Sequence, residues 1–464
     1  MLPRADLAQL FALSPWHWSI HSLTGSVAGQ AFLFFAATLF ALALTLGFRT
    51  RIATAGSWLL LVSLQNRNPM VLYGADQLLR MLLFWSIFLP LGACGSIDAR
   101  RGGPPNRAVR SVRHLSAASA AILLQMSLMY VFSGLLKRNE AWWSGEALSH
   151  VLSFETYARP WASALLSHGE ALRLVTPAVP WLEILLGLML FLPWGTARAR
   201  GVALVLLFGF HLTIESFLRT GLFQLVAMSG LILFLPTALW ERLPGAAVRE
   251  SDATAPTSRS VRRIAQSAAQ VLVLALLAYV VVWNVAGLGL EEYWAGERSS
   301  WARGELGRRE GRGLPILPRD AIVEHRLGGF GALGRAAGLH QRWDMFYRTG
   351  KFEGGWNAFV GTLPEGRRIS LLEEGKVLEG DALPEPPRAQ GSRWSVYLTY
   401  LRSPGMQAVR DRLGAVVGRD WNRRHPELAI DRLEILFVQN ASSEPARERR
   451  TTRWFEAPVS SDDR

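Results

Sequence analysis

The sequence predicts a polytopic α-helical membrane protein with a C-terminal extramembrane α+β domain. Half of the 464 residues are hydrophobic and 18 are tryptophans, and long apolar runs recur through the first 290 positions. Because a bilayer core of about 30 Å takes roughly 20 apolar residues per helix, these runs predict about eight membrane-spanning helices. The predicted spans are 31–48, 52–66, 77–95, 116–136, 174–194, 201–217, 221–239 and 268–289.

The net charge of +13 is distributed as in a membrane protein rather than as in a nucleic-acid-binding protein. Arginines cluster in alternate connections between the predicted spans, at 49–51, 96–114, 198–200 and 241–266. The positive-inside rule assigns such connections to the cytoplasm. We therefore expect the lipid bilayer, and no nucleic acid, as the partner. Arginine richness also fits a high-GC bacterial coding sequence, so we expect a bacterial inner (plasma) membrane, with the C-terminal domain on the periplasmic or extracellular side.

The composition changes beyond residue 290, where charged residues become dense and no further run of spanning length occurs. Segments typical of strands follow, with a hairpin turn at 364–366. They are Asn357–Leu363, Arg367–Leu372 and Leu433–Val438, with Trp394–Leu401 as a strand or a short helix. The sequence therefore predicts a transmembrane domain over 1–290, an extramembrane α+β domain over 291–441 and a disordered tail over 442–464.

Lys137 is the first candidate for a functional residue. Of the 50 basic residues, only Lys137, Lys351 and Lys376 are lysines, and Lys137 lies where the apolar run Ala117–Leu136 ends. Arginine stays charged in any protein environment, whereas a lysine at an apolar boundary can lose its proton near neutral pH. The position therefore suggests a general base. The alternative interpretation is a structural cation whose ammonium group reaches the membrane surface.

Further polar residues are expected near the outer end of the spans. His211 and Glu215 are four residues apart on one predicted helix and so share a face, and Asn68 and Tyr73 lie in the connection between the second and third spans. Ionisable groups inside spans usually face a bundle interior or a cavity. A structural pair between His211 and Glu215 is the alternative. We expect no metal site, because no third ligand is evident.

Three blocks of the membrane part carry a family resemblance. They are Tyr130–Gly145 (YVFSGLLKRNEAWWSG), Asn68–Gly74 (NPMVLYG) and Phe210–Phe223, and four further blocks follow at 343–346, 355–356, 361–366 and 393–398. In their order along the chain, these blocks resemble the vitamin K-dependent gamma-carboxylase-like family, also called the horizontally transferred transmembrane (HTTM) domain family, and its bacterial members. Members usually carry one more helix before the first predicted span, so the resemblance implies that this helix is missing from the sequence.

The resemblance implies a chemistry. In the carboxylase, a lysine is thought to deprotonate vitamin K hydroquinone, which reacts with oxygen to give a strong base. That base removes a γ-proton from a glutamate of a protein substrate, and carbon dioxide adds. Lys137 falls on this lysine, which implies a general base, and His211 falls on a histidine that could hydrogen-bond a reacting oxygen. Asn68, Tyr73 and Glu215 are expected to contact the quinol.

One departure from the family bears on the reaction. Pro69 stands where the carboxylase has a histidine important for catalysis, and a proline side chain is neither an acid, a base nor a donor. The extramembrane domain is also short, so recognition of a secreted or periplasmic protein substrate need not be retained. The resemblance therefore implies an enzyme that uses a vitamin K-like, lipid-soluble quinol, for glutamate carboxylation or for another reaction. The alternative is a non-enzymatic binding, assembly or carrier protein on the same fold.

Overall fold

The structure is a helical bundle followed by a five-stranded sheet that carries two helices. The computed structural model describes residues 16–101, 116–154, 157–192, 196–240, 259–297, 328–346, 355–385, 392–401, 407–439 and 451–459.

The first twelve helices are α1 (Val27–Leu46), α2 (Thr50–Arg67), α3 (Gly74–Ser86), α4 (Ile97–Arg101), α5 (Ala117–Leu136), α6 (Glu140–Trp143), α7 (Ala147–Leu152), α8 (Ser163–Leu166), α9 (Gly169–Val175), α10 (Ala178–Phe191), α11 (Thr196–Phe217) and α12 (Phe223–Leu231). They are followed by α13 (Thr237–Trp240), α14 (Arg259–Glu297), α15 (Gly329–Ala336), α16 (Ser392–Leu401) and α17 (Gln407–Arg424). The strands are β1 (Gly355–Thr362), β2 (Arg368–Ser370), β3 (Lys376–Leu378), β4 (Arg432–Gln439) and β5 (Thr451–Pro458).

Five helical segments within the described residues are long and apolar enough to cross a membrane, which confirms a multi-pass helical membrane protein. They are Val27–Leu46, Ala117–Leu136, Gly169–Phe191, Ala197–Phe217 and Ser267–Leu288. The other three predicted spans coincide with α2, which carries many polar residues, with α3 of 13 residues, and with α12 of nine residues. The number of eight spans therefore stays a prediction.

Helix α5 is the central helix, and it crosses α10 at very short range. A Cβ atom built on Gly134 of α5 would lie 2.5 Å from the Pro180 carbonyl oxygen, and one on Gly187 of α10 would lie 2.9 Å from the Tyr130 Cβ. The hydroxyl of Ser127 donates across the same contact to the Gly187 carbonyl at 2.6 Å. Small residues commonly allow such close approach between membrane helices. The crossing brings polar side chains of α5 directly beside α10.

Residues 328–346, which follow α14 in the chain, also pack into the bundle. They are called the re-entrant segment below. Its Leu339 and Trp343 are fully buried in the main apolar core, and the side-chain oxygen of Gln341 accepts a hydrogen bond from Gln125, near the middle of α5, at 2.7 Å. These residues therefore pack against the bundle helices, and the extramembrane domain predicted over 291–441 stays a prediction in its bounds.

Side chains of the bundle satisfy the backbone of the re-entrant segment. Non-helical backbone is tolerated at membrane depth only where protein or trapped water replaces bulk water as its hydrogen-bonding partner. Five carbonyl groups of the segment accept hydrogen bonds from side chains outside it: Phe330 from Tyr279, Ala336 from Trp18, His340 from Arg80, Gln341 from Trp283, and Phe346 from Trp142. The segment is thus held by helices α3, α6 and α14 and by the residues before α1.

The C-terminal sheet is antiparallel throughout, in the order β3-β2-β1-β4-β5. The predicted strands at Asn357, Arg367 and Leu433 correspond to β1, β2 and β4, and 394–401 is helical. Helices α16 and α17 share one apolar core with the sheet. The predicted disordered tail is wrong for residues 451–458, because these form β5 and pair with β4.

An ion pair joins the sheet domain to the bundle. The guanidinium of Arg393, on α16, donates to both carboxylate oxygens of Asp76 at 2.6 and 3.1 Å and lies over the ring of Tyr73 at 5.2 Å. Met70, between α2 and α3, packs into the core of the sheet domain. Met345 lies against Gly74 at the start of α3, and the next residue, Phe346, accepts a bond from Trp142 beside Lys137. The sheet domain therefore docks at the end of the bundle that carries Lys137, called the Lys137 end below.

We expect Arg393→Ala to loosen this docking. The Asp76 side chain is only 7% exposed, so removing its partner leaves a largely buried carboxylate and costs about 1–3 kcal/mol. Hydrogen–deuterium exchange should increase in 392–401 and 69–76 while β1 stays protected. Arg423→Ala is the matched control, because Arg423 is an exposed residue paired within its own helix. Unchanged exchange in both segments would contradict the assignment.

A buried histidine predicts a pH dependence of bundle stability. His17 lies in the segment before α1, where its Nε2 bonds the Asn66 carbonyl at 2.9 Å. Burial, aided by the Arg335 guanidinium, lowers the pKa of His17 to about 4. The folded state therefore binds this proton less readily than the unfolded chain.

Stability should accordingly be fully present above about pH 6.5 and decline as the pH falls toward 4, by on the order of 3 kcal/mol for His17 alone. Thermal unfolding in detergent at pH 7.5 and pH 5.0 measures it. His17→Gln should reduce the difference between the two melting temperatures, whereas His168→Gln, at an exposed position, should leave it unchanged. Equal pH dependence in His17→Gln and the wild type would contradict this prediction.

Candidate functional site

Lys137 is buried and paired. Its side chain is 3% exposed, and its ammonium donates to Glu183 Oε2 at 2.6 Å and to Ser133 Oγ at 2.7 Å. The ring of Trp142 lies 5.5 Å from Nζ. The structural-cation alternative requires an ammonium group that reaches the membrane surface. The ammonium of Lys137 is instead enclosed by a carboxylate, a hydroxyl and an aromatic face.

Local structure explains why these groups meet. Lys137 is the C-terminal cap of α5, and Ser133, four residues earlier, shares its helix face. Glu183 lies on α10, where the close crossing at Gly134 holds it against α5. Its side chain is 8% exposed, and Ser133 Oγ lies 3.3 Å from both of its carboxylate oxygens. The result is a three-residue hydrogen-bonded cluster at the Lys137 end.

A second polar cluster surrounds His211 on α11. The Tyr130 hydroxyl lies 2.6 Å from His211 Nε2, and His211 Nδ1 bonds the side-chain oxygen of Gln224. Because that oxygen can only accept, Nδ1 carries a proton. In the neutral imidazole, Nε2 then accepts from the Tyr130 hydroxyl. Gln224 in turn donates to Thr220 at 3.0 Å. His211 therefore belongs to an interhelical network rather than to a pair with Glu215.

The two clusters share one helix face. Tyr130, Ser133 and Lys137 are at positions i, i+3 and i+7 of α5, which is the spacing of one face. Tyr130 and Lys137 are thus about 10 Å apart along the helix axis. This face of α5 presents a lysine–carboxylate pair at one end and a neutral tyrosine–histidine pair nearer the middle.

The remaining predicted residues lie around this face. Tyr73 is tied to the loop before α12, because its hydroxyl accepts from the Leu222 backbone N–H at 2.9 Å. Asn68 caps the end of α2, and its Oδ1 is buried with no hydrogen-bond partner among the described residues. Glu215 pairs with Arg159 from the connection after α7. Tyr73 therefore lies beside the element that carries Gln224, whereas Glu215 does not join Lys137 or His211.

Sequence reasoning missed Glu183, Ser133 and Tyr130. The sequence contains one signal for Glu183, because it is the sole charged residue of α10, an otherwise apolar helix. Ser133 and Tyr130 have no comparable signal, since neither is charged. Within the described residues, no group of three or more His, Cys, Asp or Glu is placed to hold a metal ion.

A separate cleft of about 290 Å³ lies in the sheet domain, among Phe359, Trp394 and Trp421. Its main charged wall residues are paired with each other, as Arg424 is with Asp420. It contains no buried ionisable pair comparable to Lys137–Glu183, and ionisable groups placed in low dielectric are the stronger indicator of chemistry. The Lys137 end is therefore the candidate functional site.

The Lys137–Glu183 pair predicts a specific pattern of stability. Lys137→Met leaves the Glu183 charge buried without its partner and should cost about 3–5 kcal/mol, whereas the double variant Lys137→Met/Glu183→Gln should approach or exceed wild-type stability. Unfolding in a denaturing detergent titration measures both. The control Lys376→Met removes an exposed lysine and should change stability by less than about 1 kcal/mol. Additive losses in the double variant would argue against a coupled buried pair.

Comparison with known proteins gives a family match. A family model described as the HTTM domain matches residues 18–240. No curated protein and no solved structure matches. The matched range contains both polar clusters, and it ends before the re-entrant segment and the sheet domain.

Proposed function

Residues 18–240 make this chain a member of the HTTM domain family and a multi-pass membrane protein, and from that premise we propose that it is an enzyme that deprotonates a lipid-soluble quinol at Lys137. The observation that carries the proposal is the buried Lys137–Glu183 pair at 2.6 Å. A buried ion pair rarely adds stability over apolar side chains of similar size. Ionisable residues inside membrane bundles generally mark a ligand or proton pathway.

The donor set fits a quinol better than a highly charged ligand. The pair itself is neutral overall, the Trp142 ring beside it is apolar, and the tyrosine–histidine cluster on the same face is neutral. A bound quinol would supply an acidic hydroxyl and, after losing its proton, the electrons for reaction with an oxidant. The vitamin K-like quinols implied by the family resemblance belong to this class.

The chain's own residues have separate roles in this proposal. Lys137 accepts the hydroxyl proton as general base, and its ammonium then stabilises the negative charge left on the oxygen. Trp142 excludes water beside the ammonium, because its ring packs there and its indole N–H is bound to the Phe346 carbonyl. His211 supplies a neutral hydrogen-bonding group. Asn68 Oδ1 is a further buried acceptor available to a ligand.

The proposal does not extend to carboxylation of protein glutamates. Pro69 replaces the histidine that the resemblance associates with catalysis, and this proline lies in the turn between α2 and α3, next to the docked sheet domain. We propose a different reaction on the same fold. On the arginine distribution, we assign the Lys137 end and the sheet domain to the periplasmic or extracellular side of the inner membrane, where a secreted or periplasmic protein could reach them.

Quinol-dependent turnover is the test. Purified protein in nanodiscs, supplied with vitamin K hydroquinone as the probe, should consume oxygen faster than empty nanodiscs. Lys137→Arg should lower this rate by about 10²–10⁴-fold, because arginine keeps the ion pair but is not a titratable base. Its melting temperature should stay close to that of the wild type.

Lys376→Arg is the matched control and should retain the wild-type rate, because Lys376 is exposed on β3. A wild-type rate in Lys137→Arg would exclude Lys137 as the base. Binding of the probe without any turnover in the wild type would instead favour the alternative of a non-enzymatic binding protein.

A further inference from the structure

We infer that Glu183 is the terminal proton acceptor of this site: Lys137 passes a proton to Glu183 as it takes one from the ligand hydroxyl. The inference rests on the proposed function, which identifies Lys137 as the group that touches the ligand. It assigns a role to a residue outside the sequence-predicted site, and it makes the two side chains one acid–base unit.

The resting geometry shows why Lys137 needs a partner. At 2.6 Å from a carboxylate oxygen, and with both side chains less than one-tenth exposed, the pair is held as ammonium and carboxylate. An ammonium group has three donors and no acceptor. Lys137 therefore cannot take a proton from a ligand unless it gives one up, and its contact with Glu183 Oε2 is an existing path for that transfer.

Charge balance favours Glu183 over water as the destination. If Lys137 lost its proton to water first, Glu183 would remain as a lone anion in the apolar interior, which is strongly unfavourable. Transfer to Glu183 avoids that state. Before the transfer the cluster holds one ammonium and one carboxylate, and afterwards it holds one ammonium and one ligand oxyanion beside a neutral acid. The net charge of the site is zero throughout.

The step balances without an added reactant. The ligand O–H bond breaks and its electron pair stays on that oxygen, while a new N–H bond forms at Lys137 Nζ. Another Nζ–H bond breaks, and its proton forms the O–H bond of Glu183 at Oε2. Nothing is oxidised or reduced in this step, so it precedes any chemistry with an oxidant.

Ser133 supports both charge states of the cluster. Its hydroxyl accepts from Lys137 at 2.7 Å and lies 3.3 Å from each Glu183 oxygen. A hydroxyl has one hydrogen and two lone pairs and can rotate, so it can donate to the carboxylate and accept from the neutral acid. The crossing of α5 and α10 at Gly134 and Gly187 fixes the distance over which these changes occur.

Variants of Glu183 test the inference by two readouts. With vitamin K hydroquinone as the probe, Glu183→Gln should lower the turnover rate by about 10²–10⁴-fold, although glutamine still offers an oxygen to Lys137. Glu183→Asp should restore part of the rate with a changed pH profile, because it keeps a carboxylate. The rate should be compared at equal folded fraction, and the double variant Lys137→Met/Glu183→Gln is the control for folding without the pair.

Infrared difference spectroscopy gives a readout that does not depend on turnover. Anaerobic addition of the probe to the wild type should produce the carbonyl band of a protonated carboxylic acid, and this band should be absent in Glu183→Gln. A wild-type rate in Glu183→Gln, or no acid band on probe binding, would overturn the inference while leaving Lys137 as the base. Absence of both binding and turnover in the wild type would overturn the proposed function itself, and this inference with it.

Discussion

The structure depends on the close crossing of α5 and α10, because that crossing makes a buried charge pair tolerable. An isolated ammonium or carboxylate in the membrane interior costs several kcal/mol. Glycines at 134 and 187 let the two helices approach until backbone and side-chain atoms touch. Only at that distance can Glu183 reach Lys137 at 2.6 Å. Larger residues at the crossing would separate the charges and remove the compensation.

The polar interior of the bundle extends from this pair to the re-entrant segment. Trp142 joins the two, since its ring lies beside the Lys137 ammonium and its indole N–H donates to the Phe346 carbonyl. The segment itself is anchored by Gln125 and Arg80 on neighbouring helices. A displacement of residues 340–346 would therefore move the group that shields Lys137 from water. The same residues lead toward β1, so the sheet domain is linked to the site by the chain as well as by the Asp76–Arg393 pair.

Local sequence properties predicted some of this architecture, and non-local partners determined the rest. Apolar length predicted the spanning helices, and alternation with turn residues predicted β1, β2 and β4. Strand β5 was missed because the charge-dense stretch 444–450 before it suggests a solvated tail. The strand itself carries only Arg453 and Glu456, and such charges are common on edge strands. The re-entrant segment was missed because glycine-rich, polar sequence is typical of a surface loop. Its burial depends on partners such as Gln125, more than two hundred residues away.

The same distinction applies to the site. Lys137 and His211 were visible as polar residues at or within apolar runs, and Glu183 carries the same signal. Its pairing with Lys137 was not predictable, since it requires the geometry of a helix crossing. Glu215 shares a helix face with His211, as predicted, yet it pairs with Arg159 from a connecting loop. A shared face brings two side chains near each other without deciding which partner each one binds.

The choice of lysine rather than arginine at position 137 distinguishes a permanent ion pair from a pair that can transfer a proton. An arginine at this position would remain charged, could bind the Glu183 carboxylate through two parallel hydrogen bonds, and would be the better residue for a permanent buried pair. The chain uses arginine at 47 of its 50 basic positions, so arginine is its ordinary choice of cation. Ion pairing therefore does not account for the lysine. What lysine adds is a proton that it can release, and at Lys137 the group placed to receive that proton is Glu183.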